Sequence, residues 1–149
     1  MSLQKNQIKK GGAFLIEETR PNDVFTPEDF SEEQLMMKST LQDFIDREVW
    51  PHKHRFENKD YEFTKSLMKQ AGEMGFLGVA VPEQYGGLGM DFVSTMLVCD
   101  YISGASGSLS TAFGAHTGIG TLPITLYGTE EQKAKYVPKL ASGEWFGAY

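Results

Sequence analysis

Three histidines, a single cysteine and a glycine-rich loop are the parts of this sequence best suited to chemistry. His52 and His54 share a polar segment, but no further ligand stands at a spacing that a metal needs. They read as solvated residues. Cys99 lies among apolar neighbours, where a thiol packs as a small hydrophobe rather than attacking a substrate. With no second cysteine, neither an internal disulfide nor a Cys-pair metal site can form. Glu73 and Glu83 lack a partner carboxylate that would raise a pKa for acid work. The loop Pro82-Glu83-Gln84-Tyr85-Gly86-Gly87-Leu88-Gly89 invites comparison with phosphate-binding loops. It lacks the G-x-x-x-x-G-K-S/T pattern and contains no lysine. His116 remains, and on an uncharged helix it reads as a hydrogen-bonded core residue rather than a base. No metal-ligating residue is expected in this chain.

The surroundings of His116 are more telling than the residue itself. Between Asp100 and Glu130 there is no Asp, Glu, Lys or Arg, whereas both flanks are well charged. Such a stretch belongs inside something. A membrane span is the weakest reading: Ser108, Ser110, Thr111, His116, Thr117, Thr121 and Thr125 interrupt the apolar run, and Pro123 breaks it. Gly114 and Gly118 form a G-x-x-x-G, which signals membrane pairing only in an apolar segment of spanning length. A buried central helix is expected. Its small residues either let another helix approach or leave space for a ligand.

The chain has 149 residues and a net charge of −6. That length is one domain or part of one. The acidic balance argues against nucleic acid, which needs clustered Lys and Arg. The lone cysteine fits a reducing compartment, and no apolar leader follows Lys5, Lys9 and Lys10.

The elements that must position the uncharged stretch are helical. Ser31 to Gln34 is a capping box, with Phe30 and Leu35 set as a hydrophobic staple. Leu35, Leu41, Phe44, Ile45 and Val49 give that first helix its apolar stripe, and Pro51 predicts its end near Trp50. A second helix is predicted from Asp60 to Met74, closed by Gly75. Phe76 to Val81 reads as a short extended run. A third helix starts near Asp91 and ends at Gly104 and Gly107. Ser108 is the expected cap of a fourth, uncharged helix running to Tyr127. Thr129 to Gln132 is a second capping box, opening a fifth helix that runs through Leu140 and stops at Gly143. Ahead of these, Ala13, Phe14, Leu15 and Ile16 form a short apolar run expected to dock on something. Glu144 to Tyr149 reads as the onset of a strand.

These segments, in this order, resemble the N-terminal helical domain of the acyl-CoA dehydrogenases. The match is carried by Gln70-Ala71-Gly72-Glu73-Met74-Gly75-Phe76, by Val81-Pro82-Glu83-Gln84-Tyr85-Gly86-Gly87-Leu88-Gly89 and by Tyr127-Gly128-Thr129-Glu130-Glu131-Gln132-Lys133. Tyr136 to Glu144 continues it. Lys10 to Leu15 looks like the arm of the long-chain and very-long-chain members. The resemblance implies an all-α bundle divided as an N-terminal arm (1–29), a helical domain (30–143) and the first residues of a truncated middle β-domain (144–149). It further implies an FAD-dependent enzyme of fatty-acid β-oxidation that turns acyl-CoA into trans-2-enoyl-CoA. Electrons would pass to an electron-transfer flavoprotein, and the whole protein would be a homodimer or homotetramer. The cytoplasm of a bacterium is the implied location, with the mitochondrial matrix as the alternative.

Two roles carry over to residues of this chain. The family's fourth helix walls the far end of the acyl pocket, which here places Thr111, Gly114, Ala115 and Gly118 at i, i+3, i+4 and i+7 as substrate-binding residues. Tyr149 matches an aromatic position that touches the flavin. The catalytic glutamate is expected beyond this chain. An acyl-CoA oxidase or a related flavin monooxygenase sharing the domain is an alternative, as is a helical interaction module with no catalytic role.

Overall fold

The computed structural model describes residues 8, 9 and 11–148. The chain divides into two compact units, one up to Met36 and one from Met37 onward.

The first unit holds three short 3-10 turns, Gly11–Leu15, Pro21–Asp23 and Pro27–Asp29. The apolar run expected to dock is exposed: Leu15 by 75% and Ile16 by 87%. Phe30 packs on Phe25, with ring centroids 5.6 Å apart, and Leu35 is half exposed. The cap beside it does form. Ser31 Oγ accepts the Gln34 N–H at 3.2 Å, and Gln34 Oε1 accepts the Ser31 N–H at 3.0 Å.

That cap opens α1, Glu32–Phe44. Leu41, Phe44, Ile45 and Val49 are buried as the stripe requires, joined by Met37. Pro51 does not end the helical path. A π turn at Ile45–Val49 and a 3-10 turn at Trp50–His52 carry it around the proline's missing N–H into α2, Lys53–Glu57. Helix α3, Tyr61–Glu73, is capped by Asp60, whose carboxylate accepts the Phe63 N–H at 3.0 Å. Gly75, at φ +83, then turns the chain. The residues expected to be extended, Phe76 to Val81, instead enter a 3-10 turn at Phe76–Gly78. The side chains of Phe76, Leu77, Val79 and Val81 are buried in a loop that folds back on itself. The amides of Leu88, Gly89 and Met90 donate to the carbonyls of Gly78, Val81 and Val79. Those amides are spent on backbone, so none is left to cradle a phosphate.

Helix α4, Phe92–Ala105, is capped by Asp91. The next cap is Ser106, not Ser108: Ser106 is extended at ψ 124, and its hydroxyl accepts the Leu109 N–H. The uncharged stretch is then one continuous rod. It comprises α5 (Gly107–Gly114), a seven-residue π segment (Ala115–Thr121) and α6 (Leu122–Tyr127). Thr129 and Gln132 close their capping box at 2.8 and 3.3 Å and open α7, Glu130–Ala141, with Pro138 accommodated inside it. Helix α7 packs on α6, on the π segment and on the 3-10 turn after α3. Replacing the cap, Thr129→Ala, is expected to cost about 1 kcal/mol in urea melts.

No strand occurs among the described residues. The expected strand onset folds back on α7 instead. The Trp145 amide donates to the Lys139 carbonyl at 3.0 Å. Its ring lies 6.0 Å from Tyr136 and under the Lys139 ammonium. An amide held by a helix carbonyl cannot join a strand ladder.

Candidate functional site: an apolar cavity walled by a π segment

Two features of the uncharged rod shape a cavity against it. Pro123 supplies no N–H to the residue four before it, and Gly118 and Gly120 are poor helix formers. The rod loosens into the π segment just upstream of that proline. A π segment has more residues per turn than an α-helix, so the face shared by its residues shifts.

The cavity is about 160 Å³ and lies between this rod, α4 and the loop after α3. Gly114 and Gly118 are in its wall, together with Phe113, Thr117, Thr121 and Thr125. Thr111 and Ala115 are not. A strict i, i+3, i+4, i+7 face grouped those four residues. The wall follows a four-residue repeat in which 114 and 118 run beside 117, 121 and 125. The threonine spacing was visible in the sequence, but only as polar interruptions of an apolar run.

The chemistry of this wall is apolar despite its hydroxyls. Thr117 donates to the Phe113 carbonyl at 2.9 Å, Thr121 to His116 at 2.8 Å and Thr125 to Thr121 at 3.0 Å. Across the cavity, Thr95 donates to Asp91. With its hydroxyl donated to the helix, each threonine has no donor left for a ligand. No charged side chain lines the space. Cys99 is in the wall, and burial pushes its thiol above the usual range, so it adds bulk rather than a thiolate. The site can hold an unfunctionalised apolar group and can keep water away from it. It holds nothing that would move a proton.

The two wall glycines differ from Gly72 and Gly120, where an added Cβ would strike backbone. A Cβ built on Gly114 or Gly118 meets nothing within 4 Å. They do not serve helix contact; they leave room. Gly114→Ala and Gly118→Ala, both compatible with helical backbone, are each expected to stabilise the chain by about 0.5–1 kcal/mol in thermal or urea melts.

His116 is 1% exposed and outside the cavity wall. His52 Nδ1 bonds the Glu48 carbonyl at 3.1 Å, and among the described residues no cluster of His, Cys, Asp or Glu could hold a metal. Tyr149 lies outside the described residues. No helix among the described residues is long and apolar enough to cross a membrane.

Residues 31–144 match the family model for the acyl-CoA dehydrogenase N-terminal domain. The chain belongs to the acyl-CoA dehydrogenase family. It is 48% identical over its whole length to a probable acyl-CoA dehydrogenase of Bacillus subtilis and spans 25% of that protein. Over 79% of the chain it is 36% identical to bovine mitochondrial isovaleryl-CoA dehydrogenase, spanning 28% of it. Among solved structures, an FAD-complexed acyl-CoA dehydrogenase from Bacillus anthracis superposes with a TM-score of 0.85. The identity is 49%, over 93% of this chain and 24% of that one. The chain therefore spans about a quarter of the acyl-CoA dehydrogenases it matches. The relationship is to the family's helical domain at large and does not single out its long-chain members.

Proposed function

We propose that this chain supplies the acyl-chain wall of an FAD-dependent acyl-CoA dehydrogenase of fatty-acid β-oxidation. The whole protein would convert a saturated acyl-CoA to the trans-2-enoyl-CoA. The observation that carries the reading is the charge-free cavity whose glycine wall is open. An apolar cavity of about 150 Å³ holds benzene, so this one has room for about six carbons of an alkyl chain. Gly114 and Gly118 leave the space, and the back-bonded threonines present no donor to it. Thr111 and Ala115 lie outside this wall.

The described residues do not fit FAD by themselves. The cavity offers no free donor and no cation, and it is below the roughly 300–1,000 Å³ of a drug-sized site. FAD, which when bound accepts the substrate's hydride, is assigned to the whole protein. Tyr149 is the contact proposed from this chain, on the strength of the family resemblance. Family membership likewise supports an electron-transfer flavoprotein as acceptor and a homo-oligomeric whole protein. The Bacillus relatives favour a bacterial cytoplasm.

The test is to isolate the full-length protein and assay it against saturated acyl-CoAs. A yellow, FAD-containing protein that forms trans-2-enoyl-CoA with a flavoprotein acceptor is expected. Hydrogen peroxide formation at the same rate in air would make it an oxidase, and absence of flavin would contradict the reading.

A further inference from the structure

His116 takes no part in the cavity, yet both of its ring nitrogens are used. Nε2 lies 3.0 Å from the Leu140 carbonyl at the end of α7, and Nδ1 lies 3.0 Å from the Gly147 amide nitrogen. A carbonyl can only accept and a backbone N–H can only donate. Nε2 must therefore carry the proton and Nδ1 must be bare, which is the neutral imidazole in one tautomer. Everything else at this crossing is close-fitted. A Cβ on Gly120 would fall 2.5 Å from the Gly147 Cα, and one on Gly147 would fall 2.6 Å from the Gly120 Cα. The Phe146 ring meets the imidazole edge-on, with centroids 5.9 Å apart. The Thr121 hydroxyl occupies the carbonyl of His116 itself.

We propose that His116 is a protonation-controlled pin: neutral, it holds residues 144–148 across the π segment that walls the cavity, and protonated, it lets them go. A proton added at Nδ1 takes the lone pair that accepts the Gly147 N–H. Two donors then face each other, and the bond is lost.

The neighbouring elements bring few competing charges. Helix α5 and the 3-10 turn Phe76–Gly78 have no titratable group, and α6 has only the exposed Tyr127. Helix α7 brings Glu130, Glu131, Lys133, Lys135, Tyr136 and Lys139, and the tail brings Glu144. Glu130 is held by Lys133 and Tyr85. Lys139 and Glu144 pair with each other at 3.0 Å. Burial holds the imidazole below its ordinary 6.5, partly offset by the Leu140 carbonyl. The sign follows. Release of the tail uncovers part of the imidazole, so the released histidine titrates above the pinned one, at most at the ordinary 6.5, and the released state binds more protons. The pin has full strength above about pH 6.5. Below that it weakens by about tenfold per pH unit until the pinned histidine itself titrates.

This inference stands whether or not the cavity takes an acyl chain. Its test is hydrogen exchange of the Gly147 amide between pH 8 and 5, normalised to the intrinsic rate, with helix content followed by circular dichroism. Protection should be constant down to about pH 6.5, then fall about tenfold per unit while helix content holds. His116→Gln can still donate to Leu140 but does not titrate, so its profile should stay flat. Flat protection in the unmodified chain, or the same fall in both proteins, overturns the pin. If His116→Gln does not fold, the imidazole ¹⁵N shifts of the unmodified chain decide. An Nε2–H tautomer at pH 7, lost together with Gly147 protection, supports the pin. An Nδ1–H tautomer or an imidazolium at pH 7 overturns it.

Discussion

In the full-length protein, Gly118→Leu should lower kcat/KM for long acyl-CoAs about a hundredfold and leave short ones near the unmodified value. The side chain has somewhere to go, because a Cβ at Gly118 meets nothing within 4 Å. It goes into the cavity that Gly118 lines. An isobutyl group then occupies the space of three or four methylenes. Each methylene buried is worth about 0.8 kcal/mol, so about 3 kcal/mol of binding is withdrawn from chains that reach this far. That energy corresponds to about two powers of ten in rate. Gly114→Leu should give the same pattern. Ala115→Phe, on the same rod but away from the wall, should not discriminate by length. A uniform loss across chain lengths in Gly118→Leu would mean that the glycines serve packing alone.

The largest stability effect is expected at a different glycine. Gly72 sits in α3 where the turn after α7 crosses it, and a Cβ there would lie 2.4 Å from the Ser142 carbonyl oxygen and 2.6 Å from its carbon. These are backbone atoms, so no side chain can swing aside. Gly72→Ala must push α3 and the end of α7 apart around the buried Ala71 and Ala141. Overpacking of this kind costs about 1–3 kcal/mol, set against a helix-propensity gain of at most about 1 kcal/mol. A net loss of about 1–2 kcal/mol should lower the melting temperature by about 2–8 °C. Gly118→Ala should move it the other way. If both alanines shifted the melting temperature alike, the contrast between contact glycines and cavity glycines would be wrong.

Much of the fold is written locally. Ser31, Asp60, Asp91 and Thr129 all cap helices, because a side-chain oxygen beside free amides needs nothing from the rest of the chain. What depends on tertiary context was harder to read. Phe76 to Val81 looks like a strand by composition, but no partner strand is offered, and the loop's own carbonyls recruit its amides. Pro51 looks like a stop, but a π turn routes the helix past it. The cavity shows the same limit. The charge gap from 101 to 129 marks the right segment, and Gly114 and Gly118 are in its wall. Thr111 and Ala115 lie off that wall, which runs along 113, 117, 121 and 125. Spacing alone does not tell which edge of an uncharged rod borders open space.

The central claim is that an acyl chain lies against the π segment of this domain. Threonine-methyl NMR of the full-length protein, titrated with a non-reactive long-chain acyl-CoA thioether, measures this directly. The account predicts nuclear Overhauser contacts from the distal chain protons to the methyls of Thr117, Thr121 and Thr125, and none to Thr111. Contacts confined to other threonines, with Thr117 and Thr121 undisturbed at saturation, would contradict it.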